Sequence, residues 1–141
     1  MKTKLKKWLI LIVWMFIIFI FSNQPHSGSV THDMVEQILP NIKFDSLINI
    51  INFTIRKLAH LSEYFILTLL TISLSKEYIK KEKIILLISI IFCFIFALTD
   101  EYHQSLVPGR TSVFTDVIID TIGGILSIIT YKIYTKIKHQ K

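Results

Sequence analysis

Four apolar runs, at residues 8–22, 58–75, 84–99 and 113–131, alternate with connections among which the basic residues are shared very unevenly. This alternation leaves few folds open. Inside a bilayer the backbone polar groups find no water, so an apolar run crosses as a helix, whose hydrogen bonds are all internal, or as part of a closed barrel. The uniformly apolar third run, Ile84 to Thr99, lacks the alternation of a barrel strand. Each run falls short of the roughly 20 residues that a span needs, so flanking polar residues lie within the membrane boundary or among the headgroups.

Lys and Arg resist export during insertion, so their distribution orients the spans. Lys2, Lys4, Lys6 and Lys7 precede the first run, Lys76, Lys80, Lys81 and Lys83 lie in the middle connection, and Lys132, Lys136, Lys138 and Lys141 follow the fourth. The other two connections hold only Lys43, Arg56, Lys57 and Arg110. Twelve basic residues against four predict an all-α four-helix transmembrane bundle with both termini inside. A net charge of +6 would suit nucleic acid only if it gathered on one soluble face, and here it is split between membrane connections. The chain of 141 residues, 52% hydrophobic, is expected to form one membrane domain over 1–141.

The basic start followed by an apolar run resembles a signal peptide, but Trp14, Phe16, Phe19 and Phe21 load the run, and the small residues Ser27 and Ser29 come late for cleavage. It is read as a retained helix. Cys93, the sole cysteine, lies in the third run, which excludes an intrachain disulfide and a Cys-based metal site and suits an interface filler.

The first outer connection is long, which marks a functional or disordered segment. Asp33 and Glu36 have capping-box spacing before a short helix stopped by Pro40-Asn41. Phe44, Leu47, Ile48, Ile51 and Ile55 then recur at helical spacing, with Asp45, Asn49, Asn52 and Arg56 on other faces. This pattern predicts an amphipathic interfacial helix that runs straight into the second span. The second outer connection begins at Asp100 and carries Glu101, Tyr102, His103 and Gln104 before the turn signal Pro108-Gly109 and Arg110.

Ionisable side chains within a span are costly and are functional-site candidates by default. His60, Glu63 and Tyr64 share a face of the second helix, with Lys57 a turn earlier; Asp116 and Asp120 are one turn apart on the fourth, with Gly123 offering a smooth surface for a neighbouring helix. Asp100, Glu101 and Gln104 stand at the outer end of the third. All three groups lie near outer helix ends, so a bundle would bring them to one level. One reading makes them interhelical glue, for instance Arg110 with Asp116 or Lys57 with Asp100. A metal at His60-x-x-Glu63 has weak support without a His-Glu-x-x-His pair, and no cofactor is expected. Ser22, Ser105 and Ser112 lack a nucleophile setting. Gln24, beside Ser22, suits both capping and recognition, whereas Trp8, Trp14 and Tyr102 suit interfacial anchoring better than ligand contact.

Ser22-Asn23-Gln24, Lys57-Leu58-Ala59-His60 through Tyr64, Asp100-Glu101-Tyr102-His103-Gln104, and Pro108-Gly109-Arg110 ahead of Asp116 resemble, in order and spacing, the VanZ-like family. The resemblance covers Ser22 to Gly123. It implies a bacterial inner-membrane protein of four to five helices, in a family named for a member that gives low-level resistance to teicoplanin. Asp120 departs from the pattern, which has Asn there. On this resemblance the ligand-binding candidates are Gln24, Lys57, His60, Glu63, Tyr64, Asp100, Glu101, Gln104, Arg110, Asp116 and Asp120. Arg110 and Lys57 would grip anionic groups, while Asp100, Glu101 and Gln104 would take hydroxyls or amides. The expected partners are membrane lipids and a lipid-linked cell-wall precursor or lipoglycopeptide, without nucleic acid. Two alternatives stay open: a lipid-headgroup enzyme using Asp116, Glu63 or His60 in acid-base chemistry, and a proton-coupled transporter that would need to dimerise.

Overall fold

The computed structural model describes residues 2–23, 45–108 and 112–140, and among these the chain forms four helices and no strand. They are α1 (Lys2–Ser22), α2 (Asp45–Ser75), α3 (Glu82–Ser105) and α4 (Phe114–His139). Each is long and apolar enough to cross a membrane. Gln24, the Asp33–Glu36 capping box, Pro40-Asn41, Phe44 and Arg110 lie outside the described residues.

As the sequence leads one to expect, the helix ahead of the second span runs straight into it, forming one continuous helix of 31 residues, about 46 Å long at 1.5 Å per residue. Its first turns present to the bundle a face that hydrophobic spacing alone does not single out. Ile48 and Asn52, one turn apart, are buried, while Leu47 and Ile55 are exposed. The direction that α2 must take to lay its later turns on α4 fixes this choice, and hydrophobic spacing read over one segment cannot see it. At the same end of the bundle, α3 runs through Ser105, so Asp100 to Gln104, His103 included, belong to a helix rather than to a loop. Asp100 and Gln104 are thereby stacked one turn apart, on the side that turns inward.

Packing is closest between α2 and α4, and α3 lies against both; α1 touches α2 and, less, α3, but makes no described contact with α4. The reason is Gly123. A Cβ there would collide with the Leu61 backbone carbonyl, so only glycine lets the two backbones come so near. Next to it, a Cβ on Gly124 would meet Cys93 Sγ at 2.7 Å and Thr68 Oγ1 at 3.0 Å. Cys93 is thus the predicted interface filler, fully buried with its sulfur 3.8 Å from the Asp120 carbonyl. Tyr64, Leu67, Leu74, Ala97 and Val117 fill the centre with it, and from α1 Leu11 and Ile18 join them, with Trp14 and Met15 packed against the cluster. The apolar side chains left exposed, such as Phe16, Ile20, Phe53, Ile95 and Ile129, clothe the outside, as lipid contact requires.

The helices alternate in direction, and their side-chain contacts define two ends. At one, Lys7 of α1 pairs with Glu77, Trp8 Nε1 donates to Tyr78 Oη at 2.9 Å, and Lys76 lies over the Tyr131 ring. The end of α1 at Ser22, the α2 segment from Lys57 to Tyr64, the end of α3 and the start of α4 meet at the other. The connections rich in lysine share the first end. The acidic groups within the spans share the second.

Candidate functional site

Beginning with α1, buried positions recur at Leu11, Ile18 and Ser22, so the inward face of this helix ends on a hydroxyl. Ser22 Oγ donates to Asp100 Oδ2 at 2.6 Å. The same oxygen accepts from Gln104 Nε2 at 2.9 Å, and Gln104 Nε2 lies 3.2 Å from Ser22 Oγ, closing a buried triangle between α1 and α3. Asp100 is only 2% exposed, and its Oδ1 has no hydrogen-bond partner among the described residues.

Glu101, the next residue, turns toward the start of α4. Its Oε1 accepts from the Val113 backbone N–H, and its own carbonyl accepts from Ser112 Oγ at 3.2 Å. This ties the end of α3 to the first turn of α4, whose N-cap Val113 has no side-chain cap of its own. Glu101 Oε2 is buried and unpartnered.

On the α2–α4 seam the acidic residues one turn apart meet two different bases. Lys57 Nζ forms an ion pair with Asp116 Oδ1, both side chains being less than one-fifth exposed. One turn further in, His60 Nδ1 stands 3.7 Å from Asp120 Oδ1 and 4.0 Å from Glu63 Oε2. Asp120 is 1% exposed, and its Oδ1 makes no hydrogen bond. Trp14 Nε1 donates to the Glu63 carbonyl at 3.0 Å, fastening α1 to this turn of α2. Tyr64, with no exposed surface, completes the face, and its hydroxyl is unpartnered among the described residues.

The three groups read from the sequence therefore meet. Asp120 lies within electrostatic range of Glu63, Asp100, Glu101 and Asp116, and Tyr64 within range of Glu63, Asp100 and Asp120. Of the eleven predicted residues, Lys57, His60, Glu63, Tyr64, Asp100, Glu101, Gln104, Asp116 and Asp120 gather at this end. Gln24 and Arg110 are outside the described residues. Lys57 pairs with Asp116 rather than with Asp100, because the close α2–α4 approach at Gly123 sets the register of those two helices. Tyr102 is exposed and takes no part. His103 stacks on Phe19 with ring centroids 4.0 Å apart.

Ser22 as a donor to Asp100, Trp14 as a donor to Glu63 and the Val113 N–H on Glu101 were not foreseen. The i, i+7, i+11 spacing of Leu11, Ile18 and Ser22 carried the first; the other two use backbone atoms, which leave no mark in a sequence. Chemically, five carboxylates, three of which (Asp100, Glu101 and Asp120) keep a buried oxygen that no described residue satisfies, lie with one lysine and one histidine, which equips the cluster to hold cationic or donor-rich groups. Among the described residues no three His, Cys, Asp or Glu side chains are arranged to hold a metal ion.

The VanZ/LLP1 family model matches residues 7–135. No curated protein and no solved structure matches the chain.

Proposed function

Since the chain belongs to the VanZ/LLP1 family and is a multi-pass membrane protein, we propose that its buried polar cluster binds the headgroup of an amphiphile at the outer leaflet of the bacterial inner membrane and so lowers susceptibility to teicoplanin-type lipoglycopeptides. The observation that carries this reading is the set of buried oxygens on Asp100, Glu101, Asp120 and Tyr64 that no described residue satisfies. Four unused polar atoms within one small bundle cost more than helix association returns, since an interhelical hydrogen bond contributes only about 1 kcal/mol. A ligand that supplies donors repays that cost. The amphiphile is a lipid-linked cell-wall precursor or the lipoglycopeptide itself, its chains lying against the exposed apolar faces of the helices. Because Asp116 already engages Lys57, the role of gripping an anionic group falls to Arg110.

A second reading is favoured by His60, which sits between Asp120 and Glu63 at distances that a small side-chain rotation closes to hydrogen bonds. In that reading the cluster performs acid-base chemistry on the headgroup. Mass spectrometry of lipid extracts from the purified protein, compared with a His60→Ala, Arg110→Ala double variant, tests both. A co-purifying amphiphile lost in the variant supports binding, a chemically altered lipid supports the enzyme, and identical extracts overturn both.

A further inference from the structure

The sign of the charge at this site says which headgroup it takes. Glu63, Asp100, Glu101, Asp116 and Asp120 share one electrostatic environment, in which Lys57 is engaged by Asp116 and His60 stands within 4.0 Å of Glu63 and 3.7 Å of Asp120. The oxygens left over are acceptors: Asp100 Oδ1, Glu101 Oε2 and Asp120 Oδ1. Independently of the acids, the Tyr64 hydroxyl, with no exposed surface and no described partner, lies within electrostatic range of Asp100 and Asp120 and can both donate and accept. Water would satisfy the acceptors but leave the charge, and an anionic group placed against these oxygens, away from Arg110, would meet repulsion. A primary ammonium supplies three donors together with a positive charge.

Resting on the amphiphile-binding reading above, we propose that the Asp100, Glu101, Asp120 and Tyr64 cluster binds the primary ammonium group of a membrane lipid. The three donors are shared among the carboxylate oxygens, and the Tyr64 hydroxyl closes the remaining side. An N-methylated headgroup keeps the charge but loses the donors, so it binds less well.

Native mass spectrometry of the full-length chain with chain-matched phosphatidylethanolamine, phosphatidylcholine and phosphatidylglycerol in competition tests this. Phosphatidylethanolamine is expected to be retained about tenfold over either competitor, the scale of a charge-assisted hydrogen bond. Tyr64→Phe, which removes one oxygen from a packed ring, and Asp120→Asn, which replaces one carboxyl oxygen with an N–H2 group without changing shape, are each expected to lower that preference several-fold. Glu77→Gln, at the opposite end of the bundle, is expected to leave it unchanged. Displacement of the bound lipid by free ethanolamine but not by glycerol supports the ammonium as the recognised group, and equal binding of ethanolamine without lipid assigns it to a soluble amine. Retention of phosphatidylglycerol in preference overturns the ammonium proposal while leaving amphiphile binding intact. Equal retention of all three lipids, or a preference that survives both site variants, overturns it likewise. Failure to retain any lipid overturns both.

Discussion

The two ends of the bundle spend their polar residues differently. At the lysine-rich end, Lys7 donates to Glu77 and to the Ser73 carbonyl, Trp8 donates to Tyr78, and Lys4 lies over the Tyr78 ring; these side chains are a quarter or more exposed or lie near water. These groups pair with one another, and such contacts contribute little because water competes for them. At the acidic end the polar atoms are buried, several are unpaired and charge of one sign predominates. Only the first pattern is what stability alone would select. The second resembles a site held in a strained electrostatic state by the packing around it.

The contrast predicts where substitutions hurt most. Lys57→Ala leaves Asp116 as an uncompensated buried charge beside four other carboxylates and is expected to lose about 3 to 5 kcal/mol, read as a collapse of membrane-inserted protein or of thermal stability in detergent. The Lys57→Ala, Asp116→Ala double variant should recover most of this loss. If the double variant is no better than the single, the pair is not what holds that seam. Gly123→Ala should come next, at about 1 to 3 kcal/mol, since its methyl must push α4 off the Leu61 carbonyl. A disulfide-crosslinking pair across α2 and α4 that stays as efficient in this variant would contradict the close approach.

Ser22→Ala is expected to lose about 1 to 2 kcal/mol by removing a buried donor from Asp100. An unchanged melting temperature would separate α1 from the cluster. The smallest effect lies at the lysine-rich end. The Lys7 ammonium, hydrogen-bonded to Glu77 and attracting it electrostatically, holds this carboxyl below the usual carboxylate range. Its contribution is therefore present above the unfolded-state value of about 4.3 and is lost as pH falls through the lower folded-state value. Wild type and Glu77→Gln should differ slightly in thermal stability at neutral pH and converge in acid; a difference that widens on acidification would reverse the sign.

Much of this was legible in the sequence, and the reason differs by element. The four helices follow from four apolar runs separated by polar connections, and the inward faces of α2 and α4 follow from His60 with Tyr64 and Asp116 with Asp120 at one-turn spacing. Where the reading missed, a second helix decided the outcome. Asn52 is buried although it lies off the apolar face, because the whole length of α2 is aligned by its packing on α4. Lys57 meets Asp116 for the same reason. Residues 100–105 looked like a loop because they are polar, but a polar row is a helix face when Ser22, Gln104 and Val113 supply its hydrogen bonds.

The central claim, that the acidic end is kept for binding and not for stability, is tested most directly by Asp100→Asn. The amide keeps an oxygen to accept from Ser22 and Gln104, places an N–H2 group at the oxygen that is now unpartnered, and removes one negative charge from the cluster. Thermal stability of the purified protein and teicoplanin susceptibility of a heterologous host are measured on the same variant. The account predicts equal or higher stability together with loss of most of the protection; lower stability with protection retained would contradict it.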